Sequence, residues 1–309
     1  MILCDNKKLV DQLTGKGLIN ADICLVNTHS LMNYSGSREI KVVIGSRALL
    51  QVVQATYLPA LRYVQLLSVG MDGLYPKLFA SRGVQLANAH NIYSDGMAEF
   101  VVYAILMHAK RYDIMPGSSR PKLLRGYKFF TELSGKTVGI MGVGNIGKAI
   151  AKRLVGFNMN IIGYANSTTT AQYFSEIYHR ERLTSFCNQC DYIVSTLPNT
   201  EDTQGLIDAS FWAHVKPTIC FVNVGRKIVI DDNDFIAFLK FNKRASAILD
   251  MFEYLPLPWS NRYRRLPNVK ILPGVTAISK EIDKKLLNLV VGNIQKFEAG
   301  EPLINIIKL

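Results

Sequence analysis

Three glycines in the run VGIMGVGNIGKAI, residues 138–150, constrain this chain more than any other feature. Apolar residues 138–141 stop at Gly142, glycines recur at 144 and 147, and Ile146, Ile150 and Leu154 follow at intervals of four. That is the pattern of a strand, a tight turn and the start of a helix. In such a unit Gly142 permits the turn, Gly144 lets the backbone approach a pyrophosphate, and Gly147 lets the helix pack closely on the strand. The N–H groups opening the helix, near Asn145 and Ile146, suit an anion because a helix leaves them without internal partners. A dinucleotide-binding turn is therefore expected, although glycines alone also mark ordinary turns.

The surroundings fit that expectation. From residue 136 onward, strands are expected at 137–141, 160–164, 192–196, 219–224, 247–250 and 269–272, with helices between most of them. Six strands with crossover helices describe a doubly wound Rossmann sheet. The first 90 residues form an α/β layer of their own, with strands at 23–26, 42–44, 64–67 and 84–87 and a helix at 47–54. An apolar helix is expected over 94–111, with Ser94 as its N-cap, and another over 279–298, with a tail at 302–309. The loop at 116–125 reads as an exposed connection or as an arm gripping a second subunit. After the strand at 64–67 comes Ser68-Val69-Gly70-Met71-Asp72. Its N–H groups make either a carboxylate nest or a plain strand-to-helix loop.

A length of 309 residues accommodates two domains, and 49% hydrophobic with 19% charged residues is the composition of a globular chain. No apolar run reaches the roughly 20 residues that span a bilayer; 101–107 comes nearest. The opening MILCDNKK does not read as a signal peptide, and the five cysteines are an odd set, so a cytoplasmic protein is expected. Asn166-Ser167-Thr168 matches a glycosylation sequon, which is then chance. Cys187 and Cys190 form a CxxC without a second ligand pair, which reads as packing rather than a metal or redox site. The net charge of +12 favours anionic ligands. Its densest group, Arg262, Arg264 and Arg265, stands apart from any nucleic-acid-binding motif and reads as solvated loop, so a nucleic-acid partner is not expected.

Coenzyme choice should be set where the second strand of the sheet ends. An acid there, about 20 residues past the glycines, would hold the 2′-hydroxyl of NAD. The chain has Ala165, Asn166, Ser167 and Thr168 instead. Ala165 leaves room, and its neighbours can hydrogen-bond a 2′-phosphate, but no arginine stands near them in sequence. The reading is NAD or NADP, with a lean to NADP or relaxed specificity.

With these motifs in hand, the chain resembles the D-isomer-specific 2-hydroxyacid dehydrogenases, the family of glycerate, glyoxylate/hydroxypyruvate and phosphoglycerate dehydrogenases. The resemblance runs from residue 66 to about 281. It is carried by Ser68-Val-Gly-Met-Asp72, by Asn88 through Met97-Ala98-Glu99, and by GKTVGIMGVGNIG at 135–147. Asp191, Leu197-Pro-Asn-Thr200, Thr203-Gln-Gly-Leu206, Asn223-Val-Gly-Arg226 and Leu249-Asp-Met-Phe252 follow in order. It implies a Rossmann coenzyme domain, residues 91–281, inserted in a smaller flavodoxin-like α/β substrate domain made of residues 1–90 and 282–309. It further implies an active site in the cleft between them, and a homodimer formed through the coenzyme domain. The N–H groups of Val69 and Gly70, with Arg226, would hold a substrate carboxylate, a task suited to the guanidinium fork. Asp250 would sit by the nicotinamide amide, with Pro198 and Thr203 along the coenzyme. The implied reaction is hydride transfer between nicotinamide and a small anionic 2-hydroxy or 2-oxo acid, with a His–Glu pair handling the proton.

The departure lies at that pair. Leu255 stands where the family has Glu, with Glu253 two residues early, and Gly274 stands where it has His. Lys227 follows Arg226 where the family usually has Gly. Losing a positioned general acid commonly slows such a step by ~10²–10⁴-fold. Arg226 or Lys227 could still polarise a carbonyl. Of the five histidines, His29 follows a strand, His108 lies in the long apolar helix, and His179 and His214 are assigned to outer helices. His90, in the hinge, reads as a surrogate acid or as a solvated loop residue. Trp259, Tyr263, Arg264 and Arg265 read as cleft lining or as surface loop. Two functions follow: a dehydrogenase with an altered acid/base step, or a catalytically silent NAD(P)-binding sensor on the same fold.

Overall fold

The structure, a computed structural model, describes residues 1–15, 17–19, 21–31, 39–111, 130–167, 169–252, 256–272 and 274–307. The loop at 116–125, Thr168, Glu253 and Leu255 lie outside the described residues. The chain divides into two compact units, Met1–Tyr93 with Ser279–Leu309, and Ser94–Ile278.

In the first unit the elements are β1 (Ile2–Cys4), α1 (Lys7–Gly15), β2 (Ile23–Leu25), α2 (Thr28–Leu31), β3 (Val42–Gly45), α3 (Arg47–Ala55), β4 (Tyr63–Leu66), α4 (Pro76–Ser81) and β5 (Gln85–Ala87). All pair in parallel in the order β2-β1-β3-β4-β5, the flavodoxin-like arrangement. Sequence reading did not anticipate β1, although it lies between β2 and β3. Three residues at the chain start offer no alternation to detect, because a parallel strand is apolar on both faces. Leu3, Val43 and Val64 pack with Leu49, Leu50 and Val53 of α3 on one face. Ile2, Ile44 and Tyr63 pack on the other with Leu287, Val290 and Ile294 of the C-terminal helix, Lys280–Glu298.

That second face contains a buried polar network. Tyr63 Oη donates to Gln65 Oε1 at 2.6 Å, and Asn293 Nδ2 donates to the same oxygen at 2.9 Å. Asn293 also exchanges two hydrogen bonds with the Ile304 backbone, at 3.0 and 2.7 Å. The network ties the C-terminal helix to β4, and burial pushes the Tyr63 phenol up from its ordinary range.

The second unit contains α5 (Ser94–Ala109), β6 (Thr137–Met141), α6 (Asn145–Leu154), β7 (Asn160–Tyr164), β8 (Glu176–Tyr178), α7 (Leu183–Gln189), β9 (Tyr192–Ser195), α8 (Ala209–Trp212), β10 (Cys220–Asn223), α9 (Asp232–Phe241), β11 (Ser246–Leu249) and β12 (Val269–Ile271). Its parallel sheet has the order β12-β11-β10-β9-β6-β7-β8, so the order reverses between β6 and β9, as in a doubly wound sheet. The edge strand β8 was not expected from sequence, since Glu-Ile-Tyr is short and begins with a charge. It moves His179 out of the helix assigned to it and places it just past a strand end. His214 likewise lies in the turn after α8 rather than in a helix. His108 is packed, with Nδ1 2.9 Å from Ser246 Oγ and its ring edge-on to Tyr192.

Cys187 and Cys190 are buried at the end of α7. A Cβ on Gly139 would lie 2.4 Å from Cys190 Sγ, so the thiol fills the space over β6 that a side chain there would need. Burial pushes both thiols up, Cys187 to about 12, which leaves them inert packing groups. No described helix is long and apolar enough to cross a membrane.

Candidate coenzyme and substrate site

The turn between β6 and α6 gives each glycine a separate physical reason. Gly142 has φ +101°, a conformation that favours glycine, and a Cβ there would lie 2.5 Å from Thr196 Oγ1. A Cβ on Gly147 would lie 2.1 Å from the Gly142 carbonyl oxygen, so only glycine lets α6 start this close to the turn. Gly144 has nothing within 4 Å of where a Cβ would be. It caps α6 without a side-chain hydrogen bond, and the space beside it at the start of the helix is open. Open space before a helix N-terminus at the switch point of a parallel sheet fits a pyrophosphate.

The rest of the coenzyme groove follows from the strand ends. Thr196 continues β9 and donates to the Gly142 carbonyl at 3.0 Å, which holds the turn against the neighbouring strand. Pro198 is exposed, and buried Thr203 closes the loop behind it by donating to the Pro198 carbonyl at 2.7 Å. At the end of β7, Asn166 and Ser167 are exposed, and Asn166 Nδ2 donates to Asp202 Oδ2 at 3.4 Å. The Ala165 carbonyl lies 2.7 Å from Nδ1 of His179. Sequence reading missed both partners. Asp202 is 36 positions from Asn166, and His179 meets Ala165 only because β8 pairs with β7.

Arg226 follows β10 in extended backbone, half-buried, with Nη1 donating to the Gly225 carbonyl at 3.1 Å. Gly225 is fixed by crowding, since a Cβ there would lie 2.7 Å from the Leu197 backbone. Lys227, read from sequence as a group that could polarise a carbonyl, is committed elsewhere, in an ion pair with Asp232 at 3.0 Å. Asp250 is buried, and its carboxylate holds the loop after β12. Oδ1 accepts from Val275 N at 2.8 Å and Thr276 N at 3.2 Å, and Oδ2 accepts from Thr276 Oγ1 at 2.6 Å. Gly274 opens that loop at φ +69°. Of the residues after Asp250, Tyr263 is buried and donates to Asp232 Oδ1 at 2.6 Å, while Trp259 is exposed with the Arg264 guanidinium 4.8 Å over its ring.

In the first unit, the loop after β4 turns its carbonyls inward. Ala89 N donates to the Ser68 carbonyl at 3.1 Å, Asn88 Nδ2 to the Val69 carbonyl at 3.1 Å, and Ser68 Oγ to the Gly70 carbonyl at 3.3 Å. The N–H groups of Val69 and Gly70 have no acceptor among the described residues. Residues 69 and 70 are half-buried, and two successive N–H groups without acceptors are what the carboxylate-nest reading of this loop requires. Arg47 braces the loop through Asp72 at 2.9 Å. His90 is exposed; its N–H donates to Asn88 Oδ1 at 3.2 Å and its carbonyl accepts from Asn305 Nδ2 at 2.8 Å. Among the described residues no cluster of His, Cys, Asp or Glu could hold a metal ion.

Residues 102–275 match the family model of the D-isomer specific 2-hydroxyacid dehydrogenase NAD-binding domain. The chain is similar to a glyoxylate reductase of Pyrococcus furiosus, 31% identical over 258 residues that cover 79% of this chain and 74% of that one. It is 29% identical over 261 residues to the Homo sapiens glyoxylate reductase/hydroxypyruvate reductase, covering 81% and 77%. Its structure superposes on that of a D-isomer specific 2-hydroxyacid dehydrogenase family protein from Aeromonas salmonicida with a TM-score of 0.80, at 27% identity over 99% of this chain and 98% of that one. Glycine turn, sheet order and relatives agree: the chain belongs to the D-isomer-specific 2-hydroxyacid dehydrogenase family of NAD(P)-dependent oxidoreductases.

Proposed function

We propose that this protein transfers hydride between NAD(P)(H) and a small 2-oxo or 2-hydroxy acid of the glyoxylate, hydroxypyruvate or glycerate type, with an altered acid/base step. The observation that carries the reading is the Gly142–Gly144–Gly147 turn, in which two glycines are required by crowding and the third faces open space. On this reading the first N–H groups of α6 hold the pyrophosphate, with Pro198 and Thr203 beside the coenzyme and Ala165, Asn166 and Ser167 at its ribose end. The nicotinamide supplies or accepts the hydride when bound. Val69 N–H, Gly70 N–H and Arg226 bind the substrate carboxylate. Asp250 keeps the 274–276 loop closed and is assigned to the nicotinamide amide. With glycine at 274, the proton for a developing alkoxide comes from water or from a group other than a histidine at that position, and His90 is the candidate surrogate. The domain roles follow the same reading: residues 1–90 and 282–309 for substrate, 91–281 for coenzyme. A cytoplasmic homodimer is part of the proposal, and its dimeric state is checked by sedimentation.

Fluorescence titration with NADH and NADPH, followed by a panel of 2-oxo acids on the same sample, tests the function. Saturable coenzyme binding with turnover of at least one acid supports it; absence of coenzyme binding overturns it. The left-handed Gly274 and the engaged Lys227 favour a second reading, a silent NAD(P)-binding sensor. Tight binding with no turnover of any acid would select that second reading.

A further inference from the structure

The ribose end of the proposed coenzyme site has no acid on its own strand and a histidine just past the end of the next one. β7 and β8 run in register, with Tyr164 opposite Tyr178. Past that pair the two segments stay joined. Ala165 N donates to the Tyr178 carbonyl at 3.0 Å, and the Ala165 carbonyl lies 2.7 Å from Nδ1 of His179. A carbonyl only accepts, so Nδ1 carries the hydrogen and proton exchange is left to Nε2. Neutral imidazole presents a lone pair at Nε2, whereas imidazolium presents an N–H and a positive charge.

Those two forms match two different ligands. The 2′-hydroxyl of NAD(H) can donate to a lone pair. The 2′-phosphate of NADP(H) is an acceptor-only anion that pairs with an imidazolium and is repelled by the lone pair. We propose that His179 sets coenzyme choice through its protonation state, favouring NADPH when charged and NADH when neutral. The inference rests on the coenzyme site proposed above.

Other charged groups stand around this corner. Arg180 is exposed next to His179, and Arg180, Glu181 and Asp202 all act on the Tyr164 phenol, which burial holds above its ordinary range. Arg182 is engaged, 2.7 Å from Glu176 and with its guanidinium 4.5 Å over the Tyr178 ring. Asp202 accepts from Asn166, and Glu201 precedes it on the same exposed loop. Cys187, on α7, is pushed up to about 12. Histidine is the side-chain type in this group whose ordinary titration falls between pH 5 and 8. The sign follows from linkage. The 2′-phosphate pairs with the imidazolium and not with the neutral ring, so on this proposal the preference for NADPH is greater at low pH and falls as pH rises. The phosphate itself gains charge near pH 6, which works in the opposite direction.

The test is the ratio of NADH to NADPH dissociation constants, measured by nucleotide fluorescence on the full chain at pH 6 and pH 8. His179→Asn is the comparison, because its amide can still donate to the Ala165 carbonyl but does not titrate. The wild-type preference for NADPH should fall on the order of tenfold across this range relative to the variant. An identical pH dependence in wild type and His179→Asn overturns the role of His179 while leaving coenzyme binding intact. Failure of wild type to bind either nucleotide overturns both this inference and the function on which it rests.

Discussion

Gly144 and Gly147 lie three residues apart, yet the same substitution should have opposite effects at each. Gly144→Ala adds a methyl group to open space, so stability should change by no more than about 0.5 kcal/mol, while NADPH affinity falls as the methyl meets the pyrophosphate. Gly147→Ala drives a carbon against the Gly142 carbonyl and should destabilise by about 1–3 kcal/mol. Thermal melts read beside fluorescence titrations separate the two. At position 274 the missing histidine is more than a lost side chain. With φ +69°, the backbone there favours glycine, and the turn it makes delivers the Val275 and Thr276 N–H groups to Asp250. Gly274→His should therefore cost about 1–2 kcal/mol and fail to restore an acid by itself, as melts and turnover assays would show.

Asp208 caps α8, accepting from Phe211 N at 3.1 Å and from Ser210 Oγ at 2.7 Å. The Ser210 hydrogen bond, ahead of the backbone N–H groups, holds its carboxyl below the usual range. A depressed pKa stabilises the fold above the ordinary carboxylate value, and that stabilisation is lost as pH falls through the lowered value. Asp208→Ala should lower stability by about 1 kcal/mol at neutral pH, and the gap from wild type should close in acid, in urea melts at the two pH values. At this scale the long elements of the sheets were legible in sequence, and of the three-residue strands β2, β5 and β12 were legible while β1 and β8 were not. The glycine turn, β6, β7 and the C-terminal helix each carry several residues of one pattern. β1 and β8 have three residues each, and both are sheet strands only because of their neighbours. The missed contact at the coenzyme site follows directly, since His179 reaches Ala165 only through the pairing of β8. The separate jobs of the three glycines could be expected from spacing, whereas the left-handed backbone of Gly274 and the pairing of Lys227 depend on loop geometry that no short motif encodes.

At the scale of the molecule, the first unit is built from both ends of the chain. Leu287, Val290 and Ile294 cover one face of its sheet, and Asn293 supplies the polar tie to Gln65 and Ile304. Asn293→Ala leaves buried partners unsatisfied and should destabilise this unit by about 2–3 kcal/mol, appearing as an earlier transition in urea. Residues 94–278 expressed alone should fold and bind NADPH, whereas residues 1–93 alone should show the dye binding and aggregation of an uncovered apolar sheet face. During synthesis this order becomes a matter of time. The β1–β5 sheet emerges first but waits for its last helix until the whole second unit has left the ribosome, roughly 10–40 seconds later at the usual ~5–20 residues per second. The domain begun first is completed last, so the nascent chain, rather than the finished protein, is the form that chaperones must shield.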